Sequence, residues 1–383
     1  MTRLLQTTMI LVLVGYLWTI APQAYSAGKP PWNAKYERQV GEEAAKEILQ
    51  NYTPVDDADT LAKLQNMVDV LAANTERPDV KYTVYYVREK KPGPEPEVNA
   101  FSLPGGIVFV LEGLVKSVQS DHELAGVLAH EIVHNVHYDG LFQAQRAKKI
   151  FQGELAAVLA SIIIGGTDSE LWPAVMQAGL YYRAGVLGGY SVGMERKADE
   201  GAVEAMINSP WDPVGLLTFM ERLAAEERRQ GAPDMGVFKT HPLSGDRVKY
   251  LISQLERHGI MINRRKTANW EKPEIKDGAV SEKPAKLLTW RTEQLYAFDA
   301  SQPERADQAL AKLTEALAEG APAAAFSASK LGDGFIVKAR GEPVFEITQG
   351  DAAFTGKSAE ELAKESLKAI RQAIARESFD RLY

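Results

Sequence analysis

The chain has 383 residues, 45% hydrophobic and 25% charged, which is enough for two or three globular domains with at least one sizeable core. Its formal net charge of -7 argues against nucleic acid as the partner. It has no cysteine, which excludes disulfides, thiol catalysis and thiolate metal ligands, so any transition-metal site must use histidine and carboxylate.

Residues 1–26 read as an export signal: Arg3, then the apolar run MILVLVGYLWTI, then small residues around Ser26 and Ala27. The run is shorter than the roughly 20 residues of a membrane span. Cleavage is therefore expected, giving an exported protein that is periplasmic or secreted. Helices are predicted near 35–51 and 57–74, the second with Leu61, Leu64, Met67, Val68 and Leu71 at helical spacing. VKYTVYYV (80–87) predicts a strand, and VNAFSLPGGIVFV (98–110) two short strands about a Pro-Gly-Gly turn. A histidine-bearing helix follows. Residues 141–190, with IIIGG and AGVLGG, predict an apolar helix pair, and their glycines would also suit a mobile cover over a cleft. A further helix covers about 213–230. Residues 262–284 are polar, with proline and glycine, and predict a linker. Beyond it, 285–383 predicts a smaller α+β domain, with a hairpin turning at Arg340-Gly341 and a last helix opened by the capping pair Ser358 and Glu361. The fold class expected for the whole chain is α+β, mainly helical.

The histidine helix carries the chemistry. In VLAHEIVHNVHYDG (127–140), His130 and His134 are four apart and share one helix face, about 6 Å apart along the axis. Two imidazoles so placed can reach one zinc ion. Glu131 is rotated about 100° from His130 and can stand beside the ion without binding it, where a general base for water belongs. Ser120 and Glu123 predict a capped start, and Asp139-Gly140 an end. Two candidates offer a third ligand. His137 lies on the same helix, but three ligands on one straight helix cannot converge on a tetrahedral ion without a break. The other is the helix around 190–206, with Glu195 and Asp199 at i, i+4. A ligating carboxylate there, with a second one orienting a histidine, would complete a His-His-Glu site.

These motifs resemble the zinc metalloendopeptidase family that includes the CAAX prenyl endoprotease and the heat-shock membrane protease HtpX, and in particular its soluble, exported branch. The matching segments fall in the family's order over roughly 35–260: NAFSLPGG (99–106), GLV (113–115), SDHELAGVLAHEIVH (120–134), ERKAD (195–199) and HPLSGDR (241–247). The resemblance implies a gluzincin-type zincin domain over 27–261 and one Zn2+ per chain. It implies that His130, His134 and Glu195 bind the ion, that Glu131 is the base, and that Asp199 holds a ligand in place. The sequence departs from the family at Lys197 and in the residues after His134, neither of which is a proposed ligand. His241 and Arg247 match as a regulatory or oxyanion-stabilising pair; His241 could donate to an oxyanion, block the zinc at rest, or make a structural contact. The strand before the helix, with Asn99, Ala100, Phe101, Gly105 and Gly106, would receive an extended substrate by backbone pairing.

The function that follows is zinc-dependent cleavage of unfolded or misassembled exported proteins, as part of envelope protein quality control. The alternatives are a client-binding, chaperone-like protein on the same fold and a protease held in an inhibited state. Partners expected are extended polypeptides, no nucleic acid, and an envelope protein at the C-terminal domain.

Overall fold

The computed structural model describes residues 33–91, 93, 96–143, 190–230, 241 and 245–382. The export signal expected over 1–26, and all but the ends of the helix pair or cover expected over 141–190, lie outside the described residues.

The first half is built from α1 (Ala34–Ile48), β1 (Tyr52–Pro54), α2 (Ala58–Ala72), β2 (Thr83–Glu89), β3 (Ala100–Leu103), β4 (Ile107–Leu111), α3 (Glu112–Ser117) and α4 (Asp121–Val136). After the segment outside the description come α5 (Val192–Ile207), α6 (Val214–Gln230) and α7 (Gly245–Arg257). The four strands form one sheet in the order β1-β2-β4-β3, with β4 parallel to β2 and antiparallel to β3. Strand β4, IVFVL, is buried along its whole length, as a central strand with covered faces must be. Its Val108 and Val110 pack with Leu64 and Leu71 of α2 and Leu128 and Ile132 of α4. Its Ile107, Phe109 and Leu111 face the other way and join Ala45 of α1. This order leaves β3 at the sheet edge, beside α4.

Every residue of α4 from Glu123 to Val136 is buried. Ser120 caps it by accepting from the Glu123 N–H at 3.2 Å. The expected reciprocal bond is shifted by one residue: the Glu123 carboxylate accepts from the Gln119 N–H at 2.8 Å and pairs with Arg222 at 2.6 Å. The helix also ends earlier than expected. The left-handed residue is Tyr138 (φ 60), not Gly140. Helix α6 crosses α4 at glycines: a Cβ on Gly126 would lie 2.7 Å from the Leu216 backbone, and one on Gly215 2.2 Å from the His122 carbonyl oxygen.

The remainder comprises α8 (Arg264–Thr267), β5 (Glu274–Val280), β6 (Lys283–Trp290), β7 (Glu293–Asp299), α9 (Pro303–Ala318), β8 (Phe326–Leu331), β9 (Gly334–Ala339), β10 (Glu342–Ile347), α10 (Gln349–Thr355) and α11 (Ala359–Leu382). Its strands form two antiparallel three-stranded sheets, β5-β6-β7 and β10-β9-β8. Trp290, Phe298, Leu313, Phe326, Val337 and Ile370 belong to its core. The linker expected over 262–284 is corrected here, since that stretch holds α8 and the whole of β5. Strand β5 is mostly exposed and needs little apolar content, and a turn at Ser281 (φ 48) and Glu282 (φ 66) joins it to β6. The hairpin at Arg340-Gly341 and the Ser358–Glu361 cap form as expected. Among the described residues, no helix is long and apolar enough to cross a membrane.

Candidate metal centre

Helix α4 supplies His130, Glu131 and His134. Helix α5 supplies Glu195 and Asp199, one turn apart, and starts with Ser191 accepting from the Met194 N–H at 3.3 Å. His241 and Arg247 close the site from the third side. All seven side chains are buried.

Four of them converge. His130 Nε2 lies 3.1 Å from His134 Nε2 and 3.3 Å from His241 Nδ1. Glu195 Oε1 lies 3.0 Å from His241 Nδ1 and 3.6 Å from His134 Nε2, and its Oε2 lies 3.4 Å from His130 Nε2. Ligands about 2.0–2.1 Å from a tetrahedral ion are separated by about 3.3–3.4 Å. The four residues match that size, with one ligand atom from each within 4.8 Å of all the others.

The surroundings fix which nitrogen points inward. His130 Nδ1 is 3.0 Å from Asp199 Oδ1, and His134 Nδ1 is 2.8 Å from Asp139 Oδ2. Asp139 accepts the His134 Nδ1–H, which leaves His134 Nε2 as a lone pair aimed at the cluster, while Asp199 stands beside His130 Nδ1 as its ion-pair partner. Ring nitrogens and a carboxylate so close repel one another unless a positive charge lies between them, either a metal ion or, in its absence, a proton on one of the rings. The titration follows the same logic. Burial pulls the His130 imidazole down, but Asp199 and Glu195 outweigh it and raise it to about 10. Burial, with His130 beside it, lowers His134. Burial alone would raise both carboxyls; His241 and His130 hold Glu195 well below its usual range, and Arg247 and His130 do the same for Asp199. The donor set therefore fits a divalent cation, and nitrogen and oxygen donors in a tetrahedral set suit zinc.

Glu131 stands beside this cluster. Its Oε2 accepts the Ser102 N–H of edge strand β3 at 3.1 Å, and its Oε1 is 3.2 Å from His241 Nε2. Arg247 donates to both Asp199 oxygens at 2.9 and 2.7 Å and pairs with Glu195 Oε2 at 2.5 Å.

His137 stays out of the cluster and caps α4, its N–H donating to the Val133 carbonyl at 2.9 Å. Of the strand residues, Ala100 and Phe101 lie on β3, while the Asn99 carbonyl accepts from Leu111 at 3.0 Å. Gly105 (φ 75) and Gly106 (φ 81) form the turn and are hemmed in by the backbones of Arg38 and Lys81, which accounts for glycine there by packing. Sequence reasoning missed Ser102, whose N–H points to Glu131. It missed Asp139, five residues past His134 and off its helix face. It also missed Tyr190, whose ring stacks on His134 with centroids 3.9 Å apart. A small pocket beside His134 is lined by Ser102, Leu103, Pro104, Asn135, Tyr138 and Leu141.

Comparison with known proteins agrees with this geometry. The family model described as "Peptidase family M48" matches residues 58–254, just over half of the chain. A second model, "Domain of unknown function (DUF8459)", matches 290–377. The mitochondrial metalloendopeptidase OMA1 of Schizosaccharomyces pombe is 28% identical over 218 residues, covering 56% of this chain and 59% of that protein. A putative beta-barrel assembly-enhancing protease of Vibrio cholerae is 27% identical over 210 residues, covering 54% and 41%. The beta-barrel assembly-enhancing protease of Escherichia coli is 31% identical over 160 residues, covering 40% and 31%. The chain thus spans 59% or less of the length of each of these relatives. With a family model matched over half its length and the donor set in place within that match, this chain belongs to peptidase family M48.

Proposed function

We propose that this chain is a zinc-dependent endopeptidase that hydrolyses peptide bonds in unfolded or misassembled exported proteins. The observation that carries this reading is Glu131: a buried carboxylate beside four convergent donors, hydrogen-bonded to the edge strand of the sheet. A zinc ion, when bound, supplies the Lewis acid that polarises a scissile carbonyl and acidifies a water. His130, His134 and Glu195 would hold it. Glu131 takes the water's proton on a carboxylate oxygen and passes it to the leaving amine. Asp199 holds His130 through Nδ1, and Arg247 keeps Asp199 and Glu195 ionised. Among the described residues β3 ends the sheet, and an extended chain pairing along it would be recognised by backbone more than by sequence.

One observation favours a refinement. With His241 included, the protein offers four donors, as many as a tetrahedral ion takes, and catalytic zinc sites keep one position open. His241 Nε2 also faces Glu131. This arrangement supports a protease held shut until His241 moves. The names of the bacterial relatives support a role in the assembly of beta-barrel proteins, and the expectation of export rests on residues 1–26. The region 285–383 has no histidine and is read as a docking module for an envelope partner.

The test compares the chain without residues 1–26 with Glu131→Gln on casein, with zinc supplied and a chelator control. Cleavage by the parent alone, abolished by chelation, is expected. Cleavage by both proteins would remove Glu131 as base. No cleavage by either would leave the client-binding protein or the shut protease, and His241→Ala separates these: a gain of activity marks the shut form.

A further inference from the structure

We infer that Asp139 is a positioning residue for His134, delivered to it by the left-handed turn at Tyr138. The inference rests on the zinc reading above. Helix spacing would never bring these two residues together, because positions five apart do not share a face. The chain manages it by stopping α4 at Val136 and reversing. The Tyr138 N–H donates to the Asn135 carbonyl at 3.1 Å, Tyr138 takes φ 60, and the next residue falls back beneath the last turn. There the Asp139 carboxylate, 2% exposed, meets His134 Nδ1 at 2.8 Å.

A tyrosine in this conformation carries a Cβ penalty that glycine would avoid. Neighbours hold it in place. The Arg77 guanidinium lies 4.0 Å from the centre of the Tyr138 ring. The same group donates to the Asn135 carbonyl at 3.2 Å, satisfying a group at the C-terminal end of α4. Its other nitrogen pairs with both oxygens of Glu37, at 3.1 and 3.0 Å, and Glu37 is 2% exposed on α1. A half-buried ion pair from outside the helix thus clamps the turn that presents Asp139.

The chemistry of the acceptor matters. An ionised aspartate only accepts, so it selects the His134 tautomer with the proton on Nδ1 and the lone pair on Nε2, toward His130 and Glu195. An asparagine of the same shape can turn its amide and donate instead, which stabilises the tautomer with Nε2 protonated and unable to ligate.

The experiment measures zinc affinity by competition with a chromophoric chelator for the parent, Asp139→Asn, Tyr138→Gly and His134→Ala. Thermal unfolding in chelator checks each fold. Asp139→Asn should bind zinc 10- to 100-fold more weakly, the usual cost of losing a partner behind a ligating histidine. Tyr138→Gly, which adopts the same backbone freely, should keep the parent's affinity. His134→Ala should lose tight binding. An Asp139→Asn protein that binds zinc like the parent, while His134→Ala does not, overturns the role of Asp139 and leaves the zinc reading standing. A parent that binds no zinc, or a His134→Ala protein that binds as well as the parent, overturns both. A second readout is independent of any variant. Long-range 1H–15N spectra of the chelator-treated parent should find His134 protonated on Nδ1, and an Nε2-protonated ring would reject the inference.

Discussion

Arg247 carries the charge balance of the site. It is 2% exposed and touches Glu195 and Asp199, which are fully buried. Replacing it with alanine leaves two carboxylates without their fixed counter-charge in a poorly solvated place. Breaking a buried pair in this way costs about 3–5 kcal/mol, because the surviving charge remains buried. Urea unfolding of Arg247→Ala in chelator should show a loss of that order, and zinc should restore part of it, since a divalent ion beside Glu195 replaces some of the missing charge. An unchanged midpoint would mean that Asp199 takes up a proton at little cost. At this scale the sequence was legible wherever one helix face held the chemistry. His130, Glu131 and His134 show their geometry by spacing alone, whereas Glu195 and Asp199, a common acidic spacing, gain meaning only downstream of that pattern. Arg247 and His241 were visible only as parts of a resemblance, since nothing in their own spacing points at α4 or α5. Asp139 and Ser102 left no signal. One depends on a tyrosine taking a left-handed backbone, the other on a main-chain group that any residue carries.

Between elements, two contacts set where the site sits. The first is the crossing of α4 and α6 at Gly126 and Gly215. Alanine is the better helix former by about 1 kcal/mol, so a surface helix would gain from Gly126→Ala. Here the added methyl would meet the Leu216 backbone at 2.7 Å, and backbone cannot swing aside as a side chain can. The helices must separate, and the net effect should be a destabilisation of about 1–3 kcal/mol, as in other overpacked cores. Thermal unfolding checks the sign, and a raised midpoint would refute close packing as the reason for this glycine. The second contact fastens β3 to α4. Asn135 Nδ2 donates to the Leu103 carbonyl at 2.5 Å, one residue from the Ser102 N–H that binds Glu131. Asn135→Ala frees that end of the edge strand. If extended substrate pairs with β3, the variant should show a raised KM for casein-derived peptides with a smaller change in kcat. A fall confined to kcat would instead tie Asn135 to the placement of Glu131. Both contacts were hidden in the sequence, where Gly126 looks like a weak point in a helix and Asn135 like a polar residue on its surface.

Across the whole molecule, the three-residue basic run in α8 takes the place of the expected linker. Arg264 pairs with Glu221 of α6 at 2.7 Å, and Lys266 with Asp212 at 2.9 Å. Arg265, between them, points the other way: it pairs with Glu377 of α11 at 2.5 Å, donates to the Leu317 carbonyl at 3.0 Å, and lies over the rings of Trp270 and Trp290. The next residue, Thr267, is fully buried and accepts from Ser120, the cap of α4, at 2.5 Å. In sequence the run Arg-Arg-Lys looks like a solvated charge cluster, and only the tertiary positions of Glu221, Glu377 and Asp212 turn it into a joint. Short segments with partners on both sides couple the units they join, whereas a flexible linker lets each unfold alone. Calorimetry of the parent should therefore give one transition spanning both parts of the chain. Arg265→Ala takes the guanidinium away from Glu377, which is 7% exposed, and should cost about 3 kcal/mol, the lower end of the range for a broken buried pair. Because the loss falls on the C-terminal side, that side should melt first. The single transition should split, with early proteolytic cleavage near 268–273 and zinc binding at the His130 centre kept. If the variant still melts in one step at the parent's temperature, the coupling must run through the packing of α11 on α6, and the basic run is only a surface contact.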